Sequence, residues 1–378
     1  MKKIVFLTGT RADFGKIKSL IQILEKSSEF EVFIAVTGMH LQKEYGYTLI
    51  EIERCGFKNI HTFSNHTHET TMDLTLAKTI EGLSAFAKSV EPNMIIVHGD
   101  RVETLAGAIV GSLNNILVAH IEGGEVSGTV DELIRHSVSK LSHIHFVSNE
   151  EAGRRLLQMG EMSESVFALG SPDVDIMFSD ELPTLEEAKK HYDLEFSDFA
   201  IAMFHPVTTE SKHMEQYAKD FVEALLQDDH NYVVIYPNND LGSKFILESY
   251  KKIENNPRFK IFPSLRFEYF LALLKNAQFI IGNSSAGIRE APYYGIPIIN
   301  IGTRQQNRAV HADIINVDYK IESIIAALKI IDTHKISQTD QDFGNGNSAS
   351  LFLEFLQNEN VWEINHQKQF RDIEKQVQ

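Results

Sequence analysis

Apolar positions in this chain come in short runs, each followed by a longer amphipathic segment. Runs rich in Val, Ile and Phe fall at Ile4–Leu7, Phe30–Val36, Met94–Val97, Ile116–His120 and His145–Val147. Segments of helical period at Phe14–Ser27, Met72–Ser89, Val102–Leu113 and Glu150–Met159 lie between and after them. This alternation predicts a mostly parallel, doubly wound sheet, because parallel neighbours need a crossover. A second series begins after Gly170-Ser171-Pro172, with strands at Ala200–Phe204, Tyr232–Tyr236, Lys260–Ile261, Phe279–Ile281 and Ile298–Ile301. Its helices are predicted at His213–Leu226, Leu241–Glu254, Phe267–Asn276 and Ala286–Tyr294. The pattern gives an α/β protein of two Rossmann-like domains, 1–170 and 171–355, with carboxyl edges expected to face a common cleft. Helical period returns at Ala349–Phe355 and Trp362–Val377, so a terminal helix within 356–378 is expected to cross back onto the first domain.

Candidate chemistry collects in the loops after the strands. His98-Gly99-Asp100-Arg101 and His120-Ile121-Glu122-Gly123-Gly124-Glu125 end two runs joined by one helix, which predicts Asp100 and Glu122 side by side at a sheet edge. Asp131 and Arg135-His136 follow on the next helix. Each acid alone reads equally as a helix cap, but three at one edge suit proton transfer. Thr8-Gly9-Thr10-Arg11-Ala12-Asp13-Phe14-Gly15-Lys16 opens the first helix, where backbone N–H groups, Arg11 and Lys16 suit phosphate; it is also readable as a plain βα turn. In the second series, His205-Pro206-Val207-Thr208-Thr209 ends a strand, and Asn238 and Lys244 lie in the loop running from Tyr236 to Lys244. Gly282-Asn283-Ser284-Ser285 precedes a helix whose small first turn admits a diphosphate, with Glu290 placed for ribose hydroxyls. Arg304 ends the following strand.

Composition narrows the partners. The net charge of −16, from 36 basic and 52 acidic residues, argues against nucleic acid or an anionic membrane as the main partner. The single cysteine, Cys55, excludes an internal disulfide and a Cys-rich zinc site and fits a reducing cytoplasm. The first apolar run meets Arg11 too early for a signal peptide, and no stretch has the length of a membrane span.

With these residues in hand, the chain resembles the hydrolysing UDP-N-acetylglucosamine 2-epimerases of sialic acid biosynthesis. The resemblance is carried by Arg11-Ala12-Asp13, Val97 to Arg101, His120–Thr129, Ile134-Arg135-His136, His205 to Thr209, Gly242-Ser243-Lys244, Gly282–Ser285 with Arg289-Glu290, and Asn300–Gln305. It implies a GT-B fold and a UDP-sugar substrate with UDP as product. No cofactor and no metal are implied, and a cytoplasmic homodimer or homotetramer is expected. By the same resemblance, Asp100, Glu122, Asp131 and His205 form the catalytic set. Arg11, Lys16, Asn238, Lys244, Ser284, Ser285, Glu290 and Arg304 are expected to contact UDP, with Arg101, Arg135 and His136 near the sugar. Beyond the Gly-Ser-Lys loop the chain reads Phe245-Ile246-Leu247-Glu248-Ser249, without the arginines that serve feedback by activated sialic acid in the animal enzyme. The chain also resembles the enzymes acting on UDP-2,4-diacetamido-2,4,6-trideoxyglucose on the way to legionaminic acid.

The implied chemistry runs by loss of UDP from C1 and of a proton from C2 to a glycal, then by protonation and hydration. A protonated His205 is expected to neutralise the phosphates or assist departure. A GT-B glycosyltransferase, a non-hydrolysing epimerase and an inactive UDP-sugar sensor remain the rival readings.

Overall fold

A computed structural model of the chain describes residues 1–66, 71–127, 130–180, 182–305, 313–334 and 343–372. The chain divides into two compact units: Met1–Glu125, Asp131–Phe178 and Asp342–Gln378 form one, and Val126–Val130 and Ser179–Gln341 the other.

The first unit runs β1 (Lys2–Thr8), α1 (Arg11–Glu25), β2 (Phe30–Val36), α2 (Leu49–Arg54), β3 (Ile60–Thr62), α3 (Met72–Val90), β4 (Met94–His98), α4 (Val102–Leu113), β5 (Leu117–Ile121), α5 (Val130–Leu141), β6 (Ile144–Val147), α6 (Glu150–Gln158), β7 (Val166–Ala168) and α7 (Pro172–Met177). Its seven strands are all parallel, in the order β3-β2-β1-β4-β5-β6-β7. A parallel sheet is covered on both faces, so its central strands carry unbroken apolar stretches, Ile4–Leu7 in β1 and Met94–Val97 in β4, instead of alternating with polar residues. In β1, Ile4 and Phe6 enter the core on one face with Ile17, Leu20, Ile21 and Leu24 of α1. Val5 and Leu7 enter the other, with Leu83, Phe86 and Val90 of α3 and Val102 and Ala108 of α4.

The second unit runs α8 (Leu185–His191), β8 (Ala200–Met203), α9 (Met214–Gln227), β9 (Tyr232–Ile235), α10 (Ser243–Tyr250), β10 (Phe259–Phe262), α11 (Phe267–Leu274), β11 (Ile280–Gly282), α12 (Ala286–Arg289), β12 (Ile298–Ile301), β13 (Ile315–Val317) and α13 (Ile321–Ile331). Its six parallel strands lie in the order β10-β9-β8-β11-β12-β13. Both sheets reverse their winding once, at β1/β4 and at β8/β11, the places where open α/β sheets form a crevice at the carboxyl edge.

The chain then returns to the first unit through α14 (Ser348–Gln357). Asp175 of α7 accepts from the Ser348 and Ala349 N–H groups, at 2.9 and 2.7 Å, and so caps the new helix. Phe352 has no exposure, and its ring lies 6.4 Å from that of Phe6 and 5.1 Å from that of Phe146. The first unit therefore extends past residue 170 to Phe178, because α7 caps α14 and carries Asp173, which pairs with Lys16. The terminal helix expected within 356–378 is not formed over its described part. After Gln357 comes a short 3₁₀ turn, Glu359–Glu363, and residues 364–372 are not helical. The Trp362 indole N–H donates back to the Leu356 carbonyl, and the polar groups beyond find partners on the unit's surface instead of within a helix. Residues 373–378 of that expected helix, and Gly128-Thr129 of the motif carrying the resemblance, lie outside the described residues.

The helix expected over Ala286–Tyr294 is also shorter. It stops at Arg289 and continues as a 3₁₀ turn, Ala291–Tyr294, because Pro292 has no N–H for an α-helical bond. No helix among the described residues is long and apolar enough to cross a membrane.

Truncating Phe352 to alanine removes a core ring from between two others. The expected cost is about 3–5 kcal/mol, read as a lower urea midpoint for the first unit's transition.

Candidate active site

The carboxyl edge of the first sheet is organised by register. β4 and β5 pair with His98 opposite Ile121, so the turn at Gly99 and the residue Glu122 leave adjacent strands at the same level. The Gly99 N–H donates to the Ile121 carbonyl at 3.0 Å and locks the two turns together.

Across the β1/β4 switch point lies a buried chain of polar groups. Asp13, in the first turn of α1, accepts through Oδ2 from the Thr8 hydroxyl at 2.8 Å and the Gly9 N–H at 3.1 Å. Its Oδ1 meets His98 Nδ1 at 3.0 Å. His98 Nε2 stands 3.3 Å from Glu122 Oε2, within ion-pair range but off the line of a well-formed hydrogen bond. Glu122 Oε1 accepts from the Ser171 hydroxyl at 2.5 Å. Glu122 itself adopts φ +63°, a left-handed conformation that a non-glycine residue takes at a cost. Burial opposes charge on His98, but the Glu122 and Asp13 carboxylates outweigh it and lift its pKa to about 9. The ring is therefore an imidazolium held between two carboxylates.

Two neighbouring histidines have the opposite state. Burial lowers His40 to about 4 and His120 to about 3, so both are neutral. His40 Nε2 lies 3.1 Å from Thr8 Oγ1, and its Nδ1 lies 2.7 Å from Thr48 Oγ1. Because Thr8 donates to Asp13, His40 is the donor to Thr8, and every proton in this line points toward Asp13. His120 Nε2 lies 2.8 Å from the Gly99 carbonyl, which only accepts, so Nε2 carries the proton and Nδ1 accepts from Ser139 Oγ at 3.1 Å.

Asp100 follows Gly99 and forms an ion pair with Arg135, which is almost fully buried in α5. Asp131 opens the same helix four residues earlier, a spacing that sets it on the face of Arg135. The three acids expected at this edge thus fall into two groups. Asp100 pairs with Arg135, on the helix that also carries Asp131, whereas Glu122 belongs with His98 and Ser171. Arg11 pairs with Glu51 at 3.2 Å, Lys16 with Asp173 at 3.0 Å, and Arg101 with Glu103 at 3.4 Å. His136 lies 3.5 Å from Glu132 on its own helix.

The second unit holds His205 and the remaining expected nucleotide contacts. His205 follows β8 and Asn283 follows β11, across that sheet's switch point. They exchange two bonds, His205 N–H to Asn283 Oδ1 at 2.6 Å and Asn283 Nδ2 to the His205 carbonyl at 2.8 Å. The Asn238 N–H donates to His205 Nδ1 at 3.1 Å. An accepting Nδ1 means a neutral ring with its proton on Nε2, which replaces the protonated His205 expected from the sequence.

Gly282 has φ +136°, and a Cβ there would sit 1.9 Å from the Met203 carbonyl oxygen, so only glycine allows this close strand approach. Beyond it, the Ser284 hydroxyl accepts from the Ala286 N–H at 3.3 Å, and Ser285 is the residue that precedes α12 as its N-cap. Arg304 Nη1 and Gln305 Nε2 donate to the Asn283 carbonyl at 3.2 and 2.9 Å. Glu290 is buried just after α12. Lys244 is exposed in α10, with its ammonium 5.1 Å from the Phe245 ring centre.

Asp13, His98 and Ser171 were missed as site residues, although Asp13 and His98 stand inside the motifs that drew attention. The available signal was topological: both leave strands that flank the switch point. Among the described residues no three His, Cys, Asp or Glu side chains gather to hold a metal ion.

Two doubly wound parallel sheets define the class, a GT-B-like α/β fold. The structure of the Methanocaldococcus jannaschii UDP-GlcNAc 2-epimerase in complex with UDP-GlcNAc and UDP shares it, with a TM-score of 0.81 and 24% identity over 94% of this chain and 99% of that one. Residues 22–357 match the family model for UDP-N-acetylglucosamine 2-epimerase, and the chain belongs to that family. It is 48% identical to the UDP-N-acetylglucosamine 2-epimerase of Neisseria meningitidis serogroup B, over 99% of this chain and 100% of that protein. It is 32% identical to the UDP-N,N'-diacetylbacillosamine 2-epimerase (hydrolyzing) of Legionella pneumophila, over 94% and 96% of the two chains.

The His98 cluster carries a pH signature. Its pKa rises on folding from 6.5 to about 9, so its stabilisation is complete below pH 6.5 and is lost as pH climbs through about 9. The stability gap between the wild type and His98→Gln is expected to be widest near pH 6 and to shrink above about pH 9. Urea unfolding across that range measures it.

Proposed function

We propose that this protein is a hydrolysing 2-epimerase, converting UDP-N-acetylglucosamine and water to N-acetylmannosamine and UDP for sialic acid biosynthesis. The observation that carries this reading is the full-length 48% identity to the Neisseria epimerase, joined to a carboxyl edge that holds three acids in two differently charged settings.

In the proposed reaction the C1–O bond breaks first, and UDP leaves with the electron pair. That developing charge calls for hydrogen-bond donors, which the second unit's loops carry. They offer the Ser284-Ser285 turn, Arg304 and a neutral His205 able to donate from Nε2. The sugar left behind has oxocarbenium character, which acidifies the C2 hydrogen. A carboxylate of the first unit takes that proton and leaves 2-acetamidoglucal. A proton is then returned to C2 from the opposite face, and water adds at C1. Removal and return on opposite faces call for two groups, and the first unit offers two separate acidic sets. Asp100, with Asp131 close by on α5, forms one of them. Glu122 forms the other, beside an imidazolium that favours its charged form.

A second reading keeps the same steps on UDP-2,4-diacetamido-2,4,6-trideoxyglucose. It is favoured by the 32% identity to the Legionella enzyme. Mass spectrometry of products from both nucleotide sugars, side by side, separates the two by relative kcat/KM. Free N-acetylmannosamine with stoichiometric UDP is the expected outcome; a product still bearing UDP identifies a non-hydrolysing epimerase instead.

Two further outcomes are expected. Asp100→Asn keeps UDP affinity by calorimetry while turnover falls by about 100-fold or more. In D₂O the product gains one deuterium at C2, and product without it rules out the glycal route.

A further inference from the structure

Beyond its last 3₁₀ turn the chain runs along the first unit as a non-helical strap, residues 364–372, tied down at three points. The His366 carbonyl lies 2.9 Å from His143 Nε2, and Arg371 Nη1 donates to the Glu161 carbonyl at 3.1 Å. Between them Lys368 turns inward. Its ammonium donates to Glu161 Oε2 at 2.5 Å, the Ser142 carbonyl at 2.6 Å and the Ser139 carbonyl at 3.2 Å. An ammonium has three protons, and here all three are used.

Ser139 lies in the last turn of α5 and Ser142 directly follows it, so two of those acceptors are at the C-terminal end of the helix, where the backbone carries partial negative charge. The strap thus delivers a cation to the C-terminal end of this particular helix. α5 is also the helix that fixes Asp100, and it does so twice. Arg135 ion-pairs with the Asp100 carboxylate. One turn later Ser139 donates to His120, which in turn donates to the Gly99 carbonyl next to Asp100. The residue whose carbonyl receives Lys368 is therefore the residue whose hydroxyl orients His120.

We propose that the C-terminal strap is a positioning element for Asp100, acting through Lys368 on the last turn of α5. This rests on the role given to Asp100 above. Lys368 touches no reacting atom; it fixes the helix end from which the Asp100 turn is held. Small displacements of a reacting group have large kinetic cost, which makes the effect measurable.

The experiment uses the full chain with Lys368→Met and Lys368→Gln, and Lys368→Arg as the conservative partner. Circular dichroism checks folding and calorimetry measures UDP affinity. Steady-state assays give kcat and KM, and the ring nitrogens of His120 are followed by NMR. The expected result is a fall in kcat of about 10-fold or more, with UDP affinity and KM within about twofold. His120 signals shift, and Lys368→Arg recovers most of the lost rate because a guanidinium can donate to the same acceptors. If Lys368→Met does not fold, Lys368→Gln, which keeps a donor without the charge, gives the same reading. Wild-type kcat in a folded variant overturns the proposal, as does a rate loss that leaves His120 unmoved. If the wild type itself released no UDP, the functional reading would fall, while the His120 response would still report the strap's link to α5.

Discussion

The constraint on which the first unit's site depends is the single reversal of winding in its parallel sheet. Crossovers after β1 and β4 pass to opposite faces, so nothing fills the space between the two strand ends. Polar residues placed there are screened by helices on both sides yet stay at an open edge. Asp13 and His98 occupy that gap, and Glu122 joins from the adjoining strand end. Burying an imidazolium alone is costly; burying it between two carboxylates, each with its own hydroxyl donor, is what makes it tolerable. The second unit fills its own reversal with an uncharged pair, His205 and Asn283. The same topological opening thus holds ionised groups in one unit and a mutually hydrogen-bonded pair in the other.

Three histidines at the first edge show how finely neighbours set charge. His40 and His120 have hydroxyls and a backbone carbonyl for company, and burial leaves them neutral. His98, equally buried, has carboxylates and stays protonated. Residue type is the same in all three; the partner decides. The neutral rings act as fixed wires that orient Thr8 and the Gly99 turn, whereas the charged ring supplies an electrostatic centre.

Much of this was legible in the sequence, for a reason specific to parallel sheets. Runs dominated by Val, Ile and Phe, such as Phe30–Val36 and Ile298–Ile301 with one polar residue each, stand out, and both strands have those bounds in the structure. Edge strands were harder. Ile60–Thr62, Val166–Ala168 and Ile315–Val317 are three residues long and only partly buried, so they leave too little apolar signal to register. The site was legible where it is local. Asp100 and Glu122 follow directly from strand ends. Asp13 and Ser171 were not, since their meeting with His98 and Glu122 depends on pairings far apart in sequence. The terminal segment failed for another reason. Helical period in 362–377 predicts a helix, but over the described residues 364–372 Lys368 and Arg371 find tertiary acceptors at Ser139, Ser142 and Glu161 in place of the short-range bonds of a lone polar helix.

The discontinuity of the first unit sets the order in which the protein is completed at the ribosome. Phe352, Leu356 and Val361 belong to the core built around β1, yet they are synthesised after the whole of the second unit. Until they emerge, that face of the first sheet has α1 but not α14, and Phe6 and Phe146 lack the Phe352 ring between them. The second unit, continuous from 179 to 341 but for a short piece from 126 to 130, has its own core ready earlier. The domain begun first is thus finished last, and the apolar residues that wait for α14 stay uncovered for as long as the second unit takes to be made.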